Sequence, residues 1–188
     1  MTVVAPDAVA QAVRTYSLDP AHSSVGFSIR HLLIAHVHGA FSGISGTLTY
    51  DPSNKETSSV DIAIDANTLS TGHTDRDAHV KSPDMLDVGQ FPTITFVSTA
   101  IDASAGDAGE ITGNLTLKGV TKEIVLSVDE ESPEIKDPMG NLRIAFVAHT
   151  KIKRSDYGVT FNIPLETGGL ALGDDLKVTI DVQFIRKP

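Results

Sequence analysis

The sequence predicts an all-β fold, a meander of about eight strands that either closes into a barrel or packs as a β-sandwich, with a short helical insert near residues 73–88. Three observations carry this. Apolar and polar residues alternate with a period of two along most of the chain, as in strands with one buried face. Turn-forming clusters (YDPSN, ASAGDAGE, KDPMGN, ETGG) separate the alternating runs by short links. One segment only, residues 71–92, abandons the alternation.

The strands follow in order. In SSVGFSIRH, Val25, Phe27 and Ile29 share a face against Ser24, Ser28 and Arg30, and His31 continues the inward parity. The stretch HLLIAHVHGAFSG holds a His-x-His pair at His36 and His38. Burying Val37 and Phe41 stabilises by about 1.5–3 kcal/mol each, whereas two unpaired imidazoles inside would cost free energy. Val37 and Phe41 therefore face inward and both histidines outward. Two histidines still need a third ligand to hold a metal, none is evident, and no metal site is expected. Beyond Phe41 the apolar parity shifts to Ile44, Leu48 and Tyr50; Gly43 and Gly46 lie at the shift, which predicts a bulge. In SSVDIAIDA, Val60, Ile62 and Ile64 face inward between Asp61 and Asp65.

The non-alternating segment TGHTDRDAHVKSPDMLDVGQFP should contain one or two helical turns. Thr74-x-x-Asp77 resembles a capping box, and Ser82 before Pro83 resembles a second N-cap. Arg76, Asp77 and Asp87 are expected to fix this insert by local caps and ion pairs. Weaker strands follow at ITFVSTAI, GNLTLKG and KEIVLSV, then two strong ones. Leu142, Ile144, Phe146 and Ala148 share the inner face of the first, which runs on to Ile152 and Arg154; Val178, Ile180, Val182 and Phe184 share that of the second. Gly158 in RSDYG suits a tight bend, and Arg154 is expected to meet an internal carboxylate in preference to a ligand oxygen. Residues 1–14 read as a loose or partly helical arm, and residues 15–188 as one domain.

Composition excludes several functions. A formal net charge of −9 opposes nucleic-acid binding and electrostatic docking on anionic lipid. With no cysteine there is no disulfide, thiolate metal site or Cys nucleophile. No apolar run is long enough to span a bilayer, so no stable membrane insertion is expected. The N-terminus has no Lys or Arg before Arg14 and is interrupted by Asp7, unlike a secretory signal. It implies a cytoplasmic protein, or a periplasmic one whose signal has been removed. Hydrolase elbows, zinc-protease helices, phosphate loops and dinucleotide fingerprints are absent, so catalysis is not expected.

Five stretches together resemble the YceI-like family, a lipocalin-like group associated with polyisoprenoid binding. They are YSLDPAHSSVGFSIRHL, VHGAFSGISG, LSTGHTDRDAHVKSPDMLDVGQFPTITFVST, ITGNLTLKGVTKEIVLSV and KIKRSDYGV, in family order over most of residues 15–186. The resemblance implies an extended antiparallel eight-stranded lipocalin-like barrel with a short helical insert, around a long apolar cavity that holds an isoprenoid chain or similar amphiphile. It also implies frequent homodimers and, for many members, secretion to the periplasm.

Periodicity cannot distinguish a hollow barrel from a solid β-sandwich core. If hollow, the expected lining is Phe27, Ile29, His31, Val37, Phe41, Ile62, Ile64, Phe96, Leu117, Ile144, Phe146, Ile152, Arg154 and Val182. The expected partner is then a hydrophobic small molecule, an isoprenoid-like lipid bound in place of any cofactor, with its head near His31 or Arg154. A filled interior would instead mean a non-catalytic stress-response or interaction domain.

Overall fold

The structure is a computed structural model and describes residues 13–104 and 109–186. Among the described residues it is a closed antiparallel β-barrel of eight staves with one short α-helix. Two of the staves are broken. The first consists of β1 (Arg14–Leu18) and β2 (Ser24–His31), separated by a 3-10 turn at Pro20–His22. The second consists of β3 (Ala35–Phe41) and β4 (Ile44–Tyr50). The others are β5 (Ser59–Asp65), β6 (Thr93–Asp102), β7 (Gly109–Leu117), β8 (Val120–Glu131), β10 (Leu142–Lys153) and β11 (Leu172–Arg186). A two-residue β9 (Ile135–Lys136) pairs with the start of β10.

Each stave pairs with the next in sequence, and closure comes from β11. Its outer half takes β2 (Val178 opposite Phe27), its C-terminal end takes β1 (Phe184 opposite Leu18), and its other edge takes β10 in continuous register. The breaks have local causes. Asp19 accepts the Ala21 N–H, and Pro20 sits where its missing donor costs nothing. At Ser42–Gly43 the parity shift proves to be the end of one strand and the start of the next, not a bulge. Both backbone N–H groups there donate to Thr68 Oγ1 instead of to a ladder. A Cβ on Gly43 would lie 2.6 Å from Thr68 Cγ2, so the close approach requires glycine.

The helix α1 (Thr74–Lys81) packs beside β3, where β5 has ended. Its caps differ from expectation. His73 is the N-cap and accepts the Arg76 N–H, while Thr74 is the first helical residue. Asp77 turns back to accept from the Thr71 N–H and hydroxyl. Ser82 is the C-cap of this helix, not the N-cap of another, because Pro83 begins a series of turns through residue 90. Of the arm expected over residues 1–14, residues 1–12 lie outside the described residues, and Arg14 already belongs to β1.

The solid part of the core lies at the end where β1 enters. Tyr16, Ile144 and Phe184 are its most deeply buried large side chains, with Leu18, Leu48 and Val182 beside them; Tyr157, equally buried, lies beyond the other end of β10. That base is tied by charge. Arg14 donates to both carboxylate oxygens of Glu134, which also accepts from the Tyr16 hydroxyl. Glu131 accepts from Tyr50 Oη at 2.7 Å and Lys55 Nζ at 2.8 Å. Burial works to raise the Glu134 carboxyl, but the donated hydrogen bonds prevail and hold it below its ordinary value.

Candidate functional site

The inward faces of the staves do not meet in the middle. They enclose two adjoining lobes, about 170 Å³ towards the base and about 480 Å³ towards the helix-covered end. Both are lined by Val25, Ile64, Leu115, Ile152 and Val178, which form a waist between them. The wide lobe alone falls within the usual size of a small-molecule site.

The period-two face assignments position this lining. Ile62, Phe96, Phe146 and Val182 line the narrow lobe, Ile64 and Ile152 both lobes, and Phe27, Ile29, Val37, Phe41 and Leu117 the wide one. Phe27 and Phe41 lie 6.0 Å apart, centroid to centroid, across the β2–β3 pairing. Ile144 is an exception. It shares the parity of Phe146 but lies two residues nearer the base, packed among Tyr16 and Phe184, and reaches neither lobe.

Polar groups border both lobes: Lys55, Asp102, Glu110 and Glu131 the narrow one, and a cation-rich set the wide one. His31, Thr71, Asp75, Arg76, His79 and Arg154 border the wide lobe. The His79 ring stands edge-on to Phe161 at 4.7 Å, coupling α1 to the 159–163 segment across the opening. Arg154 is 4% exposed, and its partners are not those expected. Among the described residues no carboxylate pairs with it. Nε donates to the Gly173 carbonyl at 2.9 Å, and Nη1 donates to the Val159 and Phe161 carbonyls at 2.7 and 2.8 Å. Asp174, the nearest acid, instead accepts from the backbone and hydroxyl of Ser155. Burial lowers the Arg154 pKa and Asp174 only partly opposes this; an arginine remains charged throughout the neutral range all the same.

His36 and His38 are exposed on the outer face of β3, as their parity requires. Among the described residues no three His, Cys, Asp or Glu side chains gather as a metal site. Sequence patterning missed the contribution of the insert: Val80, Met85 and Leu86 also face the wide lobe. Their apolar spacing within an otherwise polar, non-alternating segment was the available signal.

Known proteins share this architecture. The YceI-like domain family matches residues 16–184. Protein YceI of Salmonella newport (strain SL254) is 39% identical over 142 residues, covering 76% of this chain and 73% of that one. Two solved structures superpose with the same fold. Burkholderia cenocepacia BcnA has a TM-score of 0.77 at 24% identity, covering 88% of this chain and 98% of that one. A polyisoprenoid binding domain from Saccharophagus degradans has a TM-score of 0.61 at 18% identity, covering 90% and 97%. With its broken staves, its helix over the wide end and its matching sequence, the chain belongs to the YceI-like family.

Proposed function

We propose that the protein binds a long-chain amphiphilic lipid, a polyisoprenoid, isoprenoid quinone or similar molecule, and carries or sequesters it. The observation that supports this most is the interior itself, an elongated two-lobed void whose walls are overwhelmingly hydrocarbon. Each methylene moved from water into such a void gains about 0.8 kcal/mol. A long tail needs little else for affinity. The larger volume of the wide lobe and its cationic and imidazole side chains suit the head, among His31, Arg76, His79 and Arg154, with the tail directed past the waist towards the narrow lobe. That the Saccharophagus degradans domain of this fold is a polyisoprenoid binding domain is consistent with the same use of the barrel. A filled-core interaction module would leave both lobes without a purpose.

The test is organic extraction of the protein as purified from cells, followed by mass spectrometry of the extract. The proposal expects a long-chain lipid near one equivalent per chain. Extracts with no lipid, together with no uptake of added isoprenoid alcohol, would remove it.

A further inference from the structure

The loop joining β2 to β3 is Leu32-Leu33-Ile34, a hairpin turn closed by the Ile34 N–H donating to the His31 carbonyl, with Leu33 beside Gly169; such a turn calls for positive φ at both central residues but not for leucine there. The three side chains are 40%, 56% and 81% exposed. Leu32 and Leu33 have φ of +51° and +64°, a left-handed conformation that glycine and asparagine adopt readily and leucine does not. Apolar side chains held in water on an unfavourable backbone indicate a surface that acquires an apolar partner.

The loop stands at the mouth of the wide lobe. Its first residue follows His31, which lines that lobe, and the Leu32 N–H donates to the carbonyl of Ala171, another lining residue. Exposed Ile163 and Leu170 lie on the neighbouring segment, where an isolated bridge joins Pro164 to Leu170. The apolar rim is thus continuous with the cavity wall. Its electrostatics also differ from those of the rest of the molecule. Residues 20–50 contain none of the chain's 24 acidic residues, although the net charge is −9, while Arg30, His31, His36 and His38 flank the loop; the acids at this mouth come from neighbouring elements, Asp75 on the lobe border and Glu166 in the turn before Gly169.

From this we infer that the Leu32–Ile34 tip docks on a lipid bilayer, inserting shallowly with the cavity mouth against the membrane and the acid-free hairpin next to anionic headgroups. An acidic protein would repel such a surface over most of its area; this hairpin is where it would not. Docking there lets a tail pass between bilayer and barrel without crossing water. That purpose rests on the cavity being a lipid site, but the docking itself does not.

The chain has no tryptophan, so one placed at the tip reports alone. Ile34→Trp is mixed with vesicles of phosphatidylcholine, with and without phosphatidylglycerol, and compared with Met139→Trp, an exposed position at the base of the barrel. The expected result is a blue shift for Ile34→Trp, larger with phosphatidylglycerol, and none for Met139→Trp. In the otherwise native chain, Leu33→Ser with Ile34→Asp should weaken vesicle co-sedimentation roughly tenfold or more, with an unchanged melting temperature. An unshifted Ile34→Trp spectrum, or equal shifts at both positions, would overturn the inference. So would a wild-type dimer that the Leu33/Ile34 pair of substitutions converts to monomer, because the tip's partner would then be a second copy. Tip insertion by a protein that takes up no isoprenoid would support docking and defeat the lipid-carrier proposal; lipid uptake with a tip that stays in water would do the reverse.

Discussion

Arg154 shows how far a single residue could be read. Its inward parity was legible, because Ile152 lines the same face two positions earlier. Its partners were not, because backbone carbonyls carry no sequence signature. Holding Val159, Phe161 and Gly173 together, the guanidinium closes the segment beside the cavity mouth. Arg154→Met would leave three carbonyls short of a donor, and urea denaturation should show a loss of about 2–4 kcal/mol. A loss below about half a kcal/mol would mean the segment is held by other contacts. Ile144 carries the complementary lesson: alternation gives the face of a residue but not its height along the barrel, and at that height the interior is solid. Arg143, on the outer side of the same strand, bridges Asp19 at 2.7 Å and Asp137 at 2.8 Å. The arginine chiefly holds Asp19 below its ordinary value of 3.8, and Asn141 followed by Arg143 does the same for Asp137. Carboxylates with folded values below their unfolded ones contribute stability above about pH 4, and that contribution is lost as pH falls further. Acid titration of stability should therefore be shallower for Arg143→Gln than for the wild type below that pH. Parallel titrations would contradict this role.

At the scale of elements, the alternating runs gave the staves because each has one dry face and one wet face. The breaks in two staves were harder to see. The parity shift after Phe41 was visible, but a bulge and a strand end leave the same trace in sequence, and only Thr68, far along the chain, distinguishes them. The insert escaped fuller reading for a different reason. Its caps are local but use an unusual imidazole acceptor at His73 and an Asp77 that reaches back to Thr71, and its helix has only eight residues to display a period. The waist offers the sharpest element-scale prediction. Leu115→Trp places an indole between the lobes, where existing space limits the usual cost of overpacking to about 1–3 kcal/mol. Native mass spectrometry should then show retained binding of a short isoprenoid alcohol and loss of a long one. Equal retention of both would mean the tail does not pass the waist.

For the molecule as a whole, the question that patterning left open was whether eight amphipathic staves press together or stand apart. Each inner face is apolar in either case, so the sequence carries no local mark of the void; the resemblance to the YceI-like family supplied that expectation. The answer lies in curvature: the staves close through β11 at a radius that the inward Val, Ile, Leu and Phe side chains fill near the base and not above it. The central claim is that this void takes one hydrocarbon chain. Native mass spectrometry of delipidated protein incubated with a long isoprenoid alcohol tests it most directly. A single adduct per chain, saturating at one equivalent and released only on activation, is the predicted result. A spectrum of bare protein at every ligand concentration would contradict the account.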